Sequence, residues 1–232
     1  MKRVYSAAGV DAVEGGYCVT LDTRPLRTPA RAVLVLPRRA LAEAVAAEWA
    51  AQAELVRPHT MPLMRLAATA VDRIAPEHET AIDQIAAYAT SDLVCYRAET
   101  PADLVARQTA AWQPLVKWAA EALAAKLVVT RGVVPVTQPP TAMSALRAAV
   151  ARHEPMAMAA LQQATTATGS LVIGLALAAG RLDAGEAHDA GQVDETFQAE
   201  HWGEDAEAAG RRAALKDDIA AAARFLELLR AA

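Results

Sequence analysis

Cysteine and aromatic residues are scarce in this sequence, and each shortage excludes a class of protein. The 232 residues include two cysteines, Cys18 and Cys95, which are far apart and belong to no CxxC pair. A disulfide framework and a cysteine zinc site are therefore excluded, and we expect two buried free thiols. Aromatic residues make up 4% of the chain, whereas hydrophobic residues make up 54%, much of it alanine. Because alanine is the best helix former, this composition favours closely packed helices.

Positive charge and long apolar runs are also lacking. The formal net charge is -4, which argues against binding to nucleic acids, because proteins that track a phosphate backbone rely on clustered positive charge. The longest apolar run, Leu171–Ala179, is too short to cross a bilayer, which takes about 20 residues. No apolar targeting segment follows Lys2 and Arg3. We therefore expect a soluble, cytoplasmic protein with no membrane insertion.

The common catalytic motifs are absent from the sequence. There is no phosphate-binding loop ending in Lys-Ser or Lys-Thr, no GxGxxG motif and no GxSxG nucleophile elbow. The histidines never stand at metal-ligand spacing from one another. We therefore predict a protein that is not an enzyme and has no cofactor. Catalytic groups can still meet in space without a sequence motif, so an enzyme stays an open alternative.

Strand and turn patterns dominate the first part of the chain. Residues alternate between two faces over Gly16–Asp22, which predicts a half-buried strand, and Val33–Leu36 predicts another. A first strand is expected to begin at Val4–Tyr5. Helices follow from Pro37 and from Thr60, where Thr60 is expected to cap a helix with Pro62 in its first turn. We predict an α+β N-terminal domain over residues 1–76, with a small antiparallel sheet and helices.

The rest of the chain, residues 77–232, is predicted to be an all-helical C-terminal domain. Pro114 is expected to kink or split a helix that begins after Pro101, because proline cannot donate to the helical hydrogen-bond ladder. The β-branched stretch Leu127–Val136 predicts an extended excursion. The last helix carries an apolar stripe with helical spacing from Leu215 to Leu229.

The acidic, aromatic segment Asp194–Glu207 is the most distinctive part of the sequence. As one helix, it would stack Glu200, Glu204 and Glu207 on one face. An apolar stripe on another face would pack on the body of the protein; it comprises Ala199, Trp202, Ala206 and Ala209. Gly203 inside a helix costs about 1 kcal/mol relative to alanine, so helix stability alone does not account for this segment.

Three interpretations of this segment compete. It could be a solvated acidic face with a buried tryptophan, since such faces commonly keep helices soluble. It could be a metal or acid/base site formed by Glu200, His201, Glu204 and Asp205. It could also be a surface for a protein partner, with an aromatic anchor and carboxylates that pair with arginines of that partner.

A series of motifs along nearly the whole chain resembles one protein family. These are Gly16-Tyr17, Leu21–Pro29, Glu48-Trp49 with Gln52, Met61-Pro62-Leu63 with Arg65-Leu66-Ala67, Asp72-Arg73, Ser91-Asp92-Leu93 with Cys95–Glu99 and Pro101, Arg107-Gln108 with Trp112 and Pro114, Gly169-Ser170-Leu171 and Asp194–Glu207. In this order they resemble the assembly chaperone of F-type ATP synthase that escorts the α subunit of the catalytic head. Thr23 departs from the family pattern, in which glycine usually follows the Leu-Asp pair.

The resemblance implies a holdase without nucleotide hydrolysis. Such a protein would bind the free α subunit and shield its β-contacting surface, because an exposed apolar interface drives aggregation. We expect a chaperone that is monomeric on its own, and we assign partner binding to Asp194, Glu195, Phe197, Gln198, Glu200, Trp202, Gly203, Glu204, Asp205 and Glu207.

Two other functional classes stay open at this point. A hydrolase would use carboxylates and His201, with a metal site near Glu200–Asp205. A structural subunit that remains in the finished complex would need a permanent and more apolar surface.

Overall fold

The computed structural model describes residues 2–132 and 134–231 of the chain. The chain divides into two compact units. One comprises Met1–His78, Glu154–Ala160 and Arg224–Ala232, and the other comprises Glu79–His153 and Leu161–Ala223. The first unit thus takes in two later segments of the chain, and the division into domains 1–76 and 77–232 stays a prediction.

An antiparallel sheet lies in the first unit and is built around one strand. Strand β1 (Ala8–Val13) pairs along its whole length with β2 (Gly16–Leu21). The other edge of β2 pairs with β3 (Arg24–Pro25) and with β4 (Val35–Leu36). The predicted strands near residues 16–22 and 33–36 are therefore confirmed. The predicted strand at Val4–Tyr5 is wrong, since the first strand begins at Ala8.

Two turns of the sheet depend on backbone conformations that few residues adopt. Gly16 has a φ of 151°, and a Cβ there would collide with the carbonyl oxygen of Leu36, so only glycine fits. In the turn after β2 it is Asp22 that has a positive φ, 54°. Thr23 is therefore tolerated in place of glycine, because the left-handed conformation falls on the residue before it.

Helix α1 (Arg39–Ala50) packs its buried face, which includes Leu41, Val45 and Trp49, in the first unit. Helix α2 (Pro62–Thr69) follows and continues into a π-helical turn, Ala70–Ile74. This order of elements agrees with the predicted helices after Pro37 and Pro62.

The start of α2 is capped from another helix rather than by its own flanking residue. Thr60, the predicted cap, lies in a 3-10 turn, Pro58–Thr60, and α2 has no side-chain cap of its own. The backbone amides of Leu63 and Met64 instead donate to the two carboxylate oxygens of Glu48, each at 2.8 Å. Burial raises the pKa of the Glu48 carboxyl, and these two amides oppose the shift. The predicted cap at Thr60 is wrong because the capping carboxylate comes from the preceding helix, 15 residues before Leu63.

The chain after the sheet is mainly helical. Its helices are α3 (His78–Ala86), α4 (Ala102–Ala122), α5 (Pro140–Ala151), α6 (Pro155–Thr168), α7 (Leu171–Ala178), α8 (Ala184–Gly191), α9 (Val193–Trp202) and α10 (Ala206–Arg230). Two short strands, β5 (Tyr96–Arg97) and β6 (Thr130–Arg131), form a parallel pair. The predicted fold class, α+β with an N-terminal antiparallel sheet followed by a helical region, is confirmed.

Helix α4 runs through Pro114 without interruption, so the expected split at that residue does not occur. Within the stretch predicted to be extended, Thr130–Arg131 is a strand, while Val133 lies outside the described residues.

A buried acid joins two motifs that are distant in the sequence. Asp92 is fully buried and accepts hydrogen bonds from the Ser170 hydroxyl at 2.5 Å and from the Val172 amide at 3.0 Å. Ser170 caps α7, whose residues Leu171–Leu177 are all buried. Burial raises the pKa of Asp92 to about 6. These contacts give the Asp92 and Ser170 motifs a structural role in the core of the second unit.

Both cysteines, Cys18 and Cys95, are buried free thiols, as expected. In the described part of the chain, no helix combines the length and apolar character needed to cross a membrane.

Candidate functional site: the corner between helices α9 and α10

The acidic segment forms two helices joined by a corner. Helix α9 ends at Trp202 because Gly203 adopts a φ of 83° and a ψ of 168°, which no helix contains. Helix α10 begins at Ala206, and the Asp205 carboxylate caps it by accepting from the Ala208 amide at 2.7 Å. The predicted single helix, with Glu200, Glu204 and Glu207 stacked on one face, is therefore wrong. Gly203 is explained by the positive φ at the corner.

The inner face of α9 is anchored to α4. Phe197 is 1% exposed, and its ring stacks on His201 with 4.0 Å between ring centres. The guanidinium of Arg107 lies 5.3 Å from the centre of the Phe197 ring. Phe197 is therefore a core residue of the second unit and does not present its ring to a partner.

Asp194, also on the inner face, joins a buried polar network. Its carboxylate accepts from the Gln108 side-chain amide at 2.7 Å. The backbone carbonyl of Gln108 accepts from Arg97, whose guanidinium lies 5.0 Å from the centre of the Trp112 ring. Burial lowers the pKa of Arg97, and the nearby Cys95 and Asp194 oppose that shift. Asp194 thus stabilises a buried cation, which is a structural role.

Three of the predicted glutamates are paired with arginines of the same chain. Arg107 on α4 donates to Glu200 at 2.6 Å. Arg212 on α10 donates to Glu204 at 3.1 Å and to the Thr196 hydroxyl at 2.9 Å. The third pair is Glu207 with Arg211, at 2.6 Å. Because Arg107 and Arg212 reach α9 or the corner from separate helices, they hold the α9–α10 corner in place.

The outer face of α9 consists of Glu195, Gln198 and Trp202, three predicted residues that share one side of the helix and are all exposed. Trp202 is 75% exposed. The predicted apolar stripe that would bury Trp202 is therefore wrong, and Ala206 and Ala209 are exposed as well. Within the described chain, the Glu195 carboxylate has no ion pair or hydrogen bond. This face leaves an unpaired carboxylate, an amide and an indole available to a partner.

The geometry gives no support to a hydrolytic site at Glu200–Asp205. Glu200 and Glu204 pair with different arginines, Asp205 caps α10, and His201 contacts the Phe197 carbonyl through Nδ1 at 2.8 Å. Over residues 2–132 and 134–231, no group of three or more His, Cys, Asp or Glu side chains is arranged to hold a metal ion. The four residues therefore do not converge on one point in space.

Sequence reasoning missed the arginines that organise the corner. Arg107 and Gln108 were recognised as a family-like motif, but nothing in their spacing indicates that they contact α9, 86 residues or more away. Arg212 carries no sequence signal, because its partners Thr196 and Glu204 come within reach only when the chain turns at Gly203.

Comparison with known proteins identifies the family. The family model of the ATP12 chaperone protein matches residues 2–120. The crystal structure of Atp12 from Paracoccus denitrificans superposes with a TM-score of 0.93 at 43% identity, and the match covers 99% of this chain and 98% of that one.

Two further solved structures agree. A point mutant of the Paracoccus protein matches at 42% identity, with a TM-score of 0.93 and coverage of 99% of this chain and 98% of that chain. A protein from Agrobacterium tumefaciens matches at 44% identity with a TM-score of 0.94, over 99% of this chain and 86% of that one. With a family model that matches half of the sequence and relatives that match nearly all of it, the chain belongs to the ATP12 chaperone family.

Proposed function

We propose that the protein binds the free α subunit of F-type ATP synthase and shields the surface that later contacts the β subunit. Membership of the ATP12 chaperone family supports the coarser role, a chaperone of ATP synthase assembly. The chaperone acts as a holdase: it covers an apolar interface that would otherwise drive aggregation, and it is displaced when the correct partner arrives.

The observation that carries the proposal is the exposure of Trp202. A tryptophan that is 75% exposed leaves a large apolar surface in water, and tryptophan is enriched among residues that dominate binding energy at protein interfaces. Glu195 and Gln198 flank it on the same helical face and supply polar contacts that fix the register of a partner. The outer face of α9 is therefore the client-binding surface in this proposal.

The other predicted residues support this face without touching the client. Phe197 and Asp194 attach α9 to α4, and Gly203 and Asp205 form the corner. Glu200 and Glu204 are bound by Arg107 and Arg212, so a client arginine would have to displace an existing partner to reach them. Glu207 is exposed at the start of α10 and is shared with Arg211.

The test is the replacement Trp202→Ala. We expect binding of the isolated α subunit to weaken by tenfold or more, as is typical of an interface anchor, while the melting temperature stays unchanged because the side chain is exposed. Binding is measured by calorimetry, and protection of the α subunit from aggregation by light scattering. The matched control is Val134→Ala, which truncates another exposed apolar side chain, 70% exposed, in the same unit. Equal binding by Trp202→Ala and wild type would remove α9 from the client-binding surface.

A further inference from the structure

A groove of about 740 Å³ lies in the second unit, where helices α4, α8 and α9 meet. We call it the α4–α8 groove, and its apolar side chains are Ala110, Ala111, Leu115, Leu182, Ala190 and Val193. Val193 lies about two and a half helical turns from Trp202 on α9, so the groove opens on the side of α9 that faces away from Trp202. It is therefore a second surface, separate from the outer face of α9.

Contacts within the second unit hold the groove in shape. Trp112 on α4 is fully buried, and its Nε1 atom donates to the carbonyl oxygen of Ala190 on α8 at 2.7 Å. Arg107, which lines the groove from α4, donates to Glu200 on α9 at 2.6 Å. These contacts join α4 to α8 and to α9, so the groove is formed before a partner binds. A surface that is already ordered loses less conformational entropy on binding.

Two of the helices present rows of residues four apart to the groove. On α4 the row is Arg107, Ala111 and Leu115, and on α8 it includes Glu186 and Ala190. Rows with this spacing are the ridges that pack against the same kind of ridge on another helix, with the axes about 8–10 Å apart. The alanine in the middle of the α4 row leaves room for a larger side chain of an incoming helix. The shape therefore fits a helix with one apolar row.

The charged residues of the groove differ in how they are paired. Arg107 and Arg212 both line the groove, and each already binds a glutamate of the segment Asp194–Glu207. Glu186 and Asp189 line it from α8 and are exposed. In the part of the chain that the structure describes, neither acid pairs with a lysine or an arginine. The α8 side of the groove therefore offers two carboxylates to the cations of a partner.

We infer that the α4–α8 groove binds an amphipathic helix of the client, whose apolar row enters the groove and whose basic residues lie along α8. Burial of apolar side chains supplies the main stabilisation. Glu186 and Asp189 attract lysines or arginines of the helix and so fix which of its sides faces α8. An extended segment fits less well, because it directs successive side chains to opposite faces. This inference rests on the proposed function and names the element of the client that the second unit recognises.

The first experiment measures the dissociation constant for the isolated α subunit of F-type ATP synthase. Ala110→Glu adds a carboxylate among the apolar side chains of the groove, and we expect the dissociation constant to rise at least about tenfold. Ala110 is exposed, so the melting temperature should not change. The control is Ala106→Glu, which makes the same replacement at an exposed position of α4 outside the groove.

A second variant tests the acidic side of the groove and leaves its apolar side chains intact. Asp189→Lys reverses the charge at an exposed position of α8, and we expect the dissociation constant to rise about fivefold at low salt and less at high salt. The control Asp217→Lys makes the same change at an exposed position of α10. Wild-type affinity of both Ala110→Glu and Asp189→Lys overturns the inference.

A third experiment does not need the α subunit. An alanine-rich helical peptide, with one row of leucines four residues apart and lysines along one side, is titrated into the chain, and methyl signals of the chain are followed by NMR. We expect saturable shifts at Ala110, Ala111 and Val193 that are weaker when glutamates replace the lysines. A peptide of the same composition in scrambled order should cause none. Equal shifts with the scrambled peptide, or no shift with any peptide, contradict a helix as the occupant.

The groove inference and the proposed function fail in different ways. If Trp202→Ala weakens binding to the α subunit while Ala110→Glu and Asp189→Lys bind like wild type, the groove inference is wrong and the proposed function stands. If the wild-type chain sediments as a dimer that Ala110→Glu dissociates, the occupant is a second copy of the chain and the groove inference is wrong. If the wild-type chain does not bind the α subunit but the groove responds to the leucine peptide, the helix-binding groove stands and the client is a different protein.

Discussion

The inner and outer faces of helix α9 contain the same kinds of residue but differ in how deeply their side chains are buried and in the partners that those side chains have. Each has an acid and an aromatic ring: Asp194 and Phe197 on the inner face, Glu195 and Trp202 on the outer face. On the inner face the acid accepts from Gln108 at 2.7 Å and the ring is 1% exposed. On the outer face the acid has no partner within the described residues and the ring is 75% exposed. The contrast shows that residue type alone does not distinguish a structural acid from one that is available to a client.

The two faces therefore have different roles: the inner face attaches α9 to the rest of the second unit, and the outer face is left exposed. Interactions with α4 and α10 fix the position of the inner face and of the corner, so the outer face is presented on a supported helix. Binding surfaces on rigid elements lose less conformational entropy when a partner binds. Replacements on the inner face should therefore lower stability, whereas replacements on the outer face should leave it unchanged.

The largest effect is expected at Phe197. Phe197→Ala should lower the free energy of unfolding by about 3–5 kcal/mol, because it removes a buried ring and leaves a cavity between α9 and α4. Chemical denaturation followed by circular dichroism measures this change. Trp202→Ala is the matched aromatic truncation on the outer face and should change stability by less than about 0.5 kcal/mol. Similar losses for the two variants would contradict the distinction between the faces.

A smaller effect is expected at Asp194. Asp194→Asn keeps an acceptor for Gln108 but removes the negative charge near the buried Arg97, and we expect a loss of about 1–2 kcal/mol. Glu195→Gln makes the equivalent change on the outer face and should leave the unfolding midpoint in urea unchanged. If Asp194→Asn were as stable as wild type, the buried network around Arg97 would not depend on this carboxylate.

The smallest effect is expected for the ion pair between Arg107 and Glu200. Both side chains are nearly half exposed, 44% and 49%, so water and salt screen the pair. Glu200→Gln should cost about 0.2–1 kcal/mol at low ionic strength and less at high salt. Thermal melts at two salt concentrations measure the difference. A large loss that persists at high salt would show that Glu200 supports the inner face more strongly than a surface ion pair does.

Several parts of the fold could be predicted because their signals are local. The alternation in β2 and the apolar stripe of α10 repeat with the period of their own secondary structure, so these elements were recognised from sequence alone. The corner could not be predicted in the same way. Gly203 was noticed as an unfavourable residue inside a helix, but a glycine that weakens a helix and a glycine that ends one look the same in sequence.

The roles of the individual residues in the candidate site could not be predicted from the sequence either. Its ten residues were proposed as one set, and the structure separates them into an outer face, an inner face, ion-paired glutamates and the corner. Trp202 and Phe197 are both aromatic and five residues apart, so their spacing alone does not tell which one is buried. Phe197 is the buried one because its side of α9 packs against Arg107 and Gln108, which lie in another helix, α4.

By itself, the sequence determined the helical composition, the antiparallel sheet and the acidic, aromatic character of the segment Asp194–Glu207, because these properties depend on residues close together in the chain. Tertiary structure alone decided which carboxylates of the segment have a partner in the same chain, because Arg107, Gln108 and Arg212 reach Glu200, Asp194 and Glu204 only after the helices have packed. The outer face of α9, with its unpaired Glu195 and exposed Trp202, is what remains after those contacts are made.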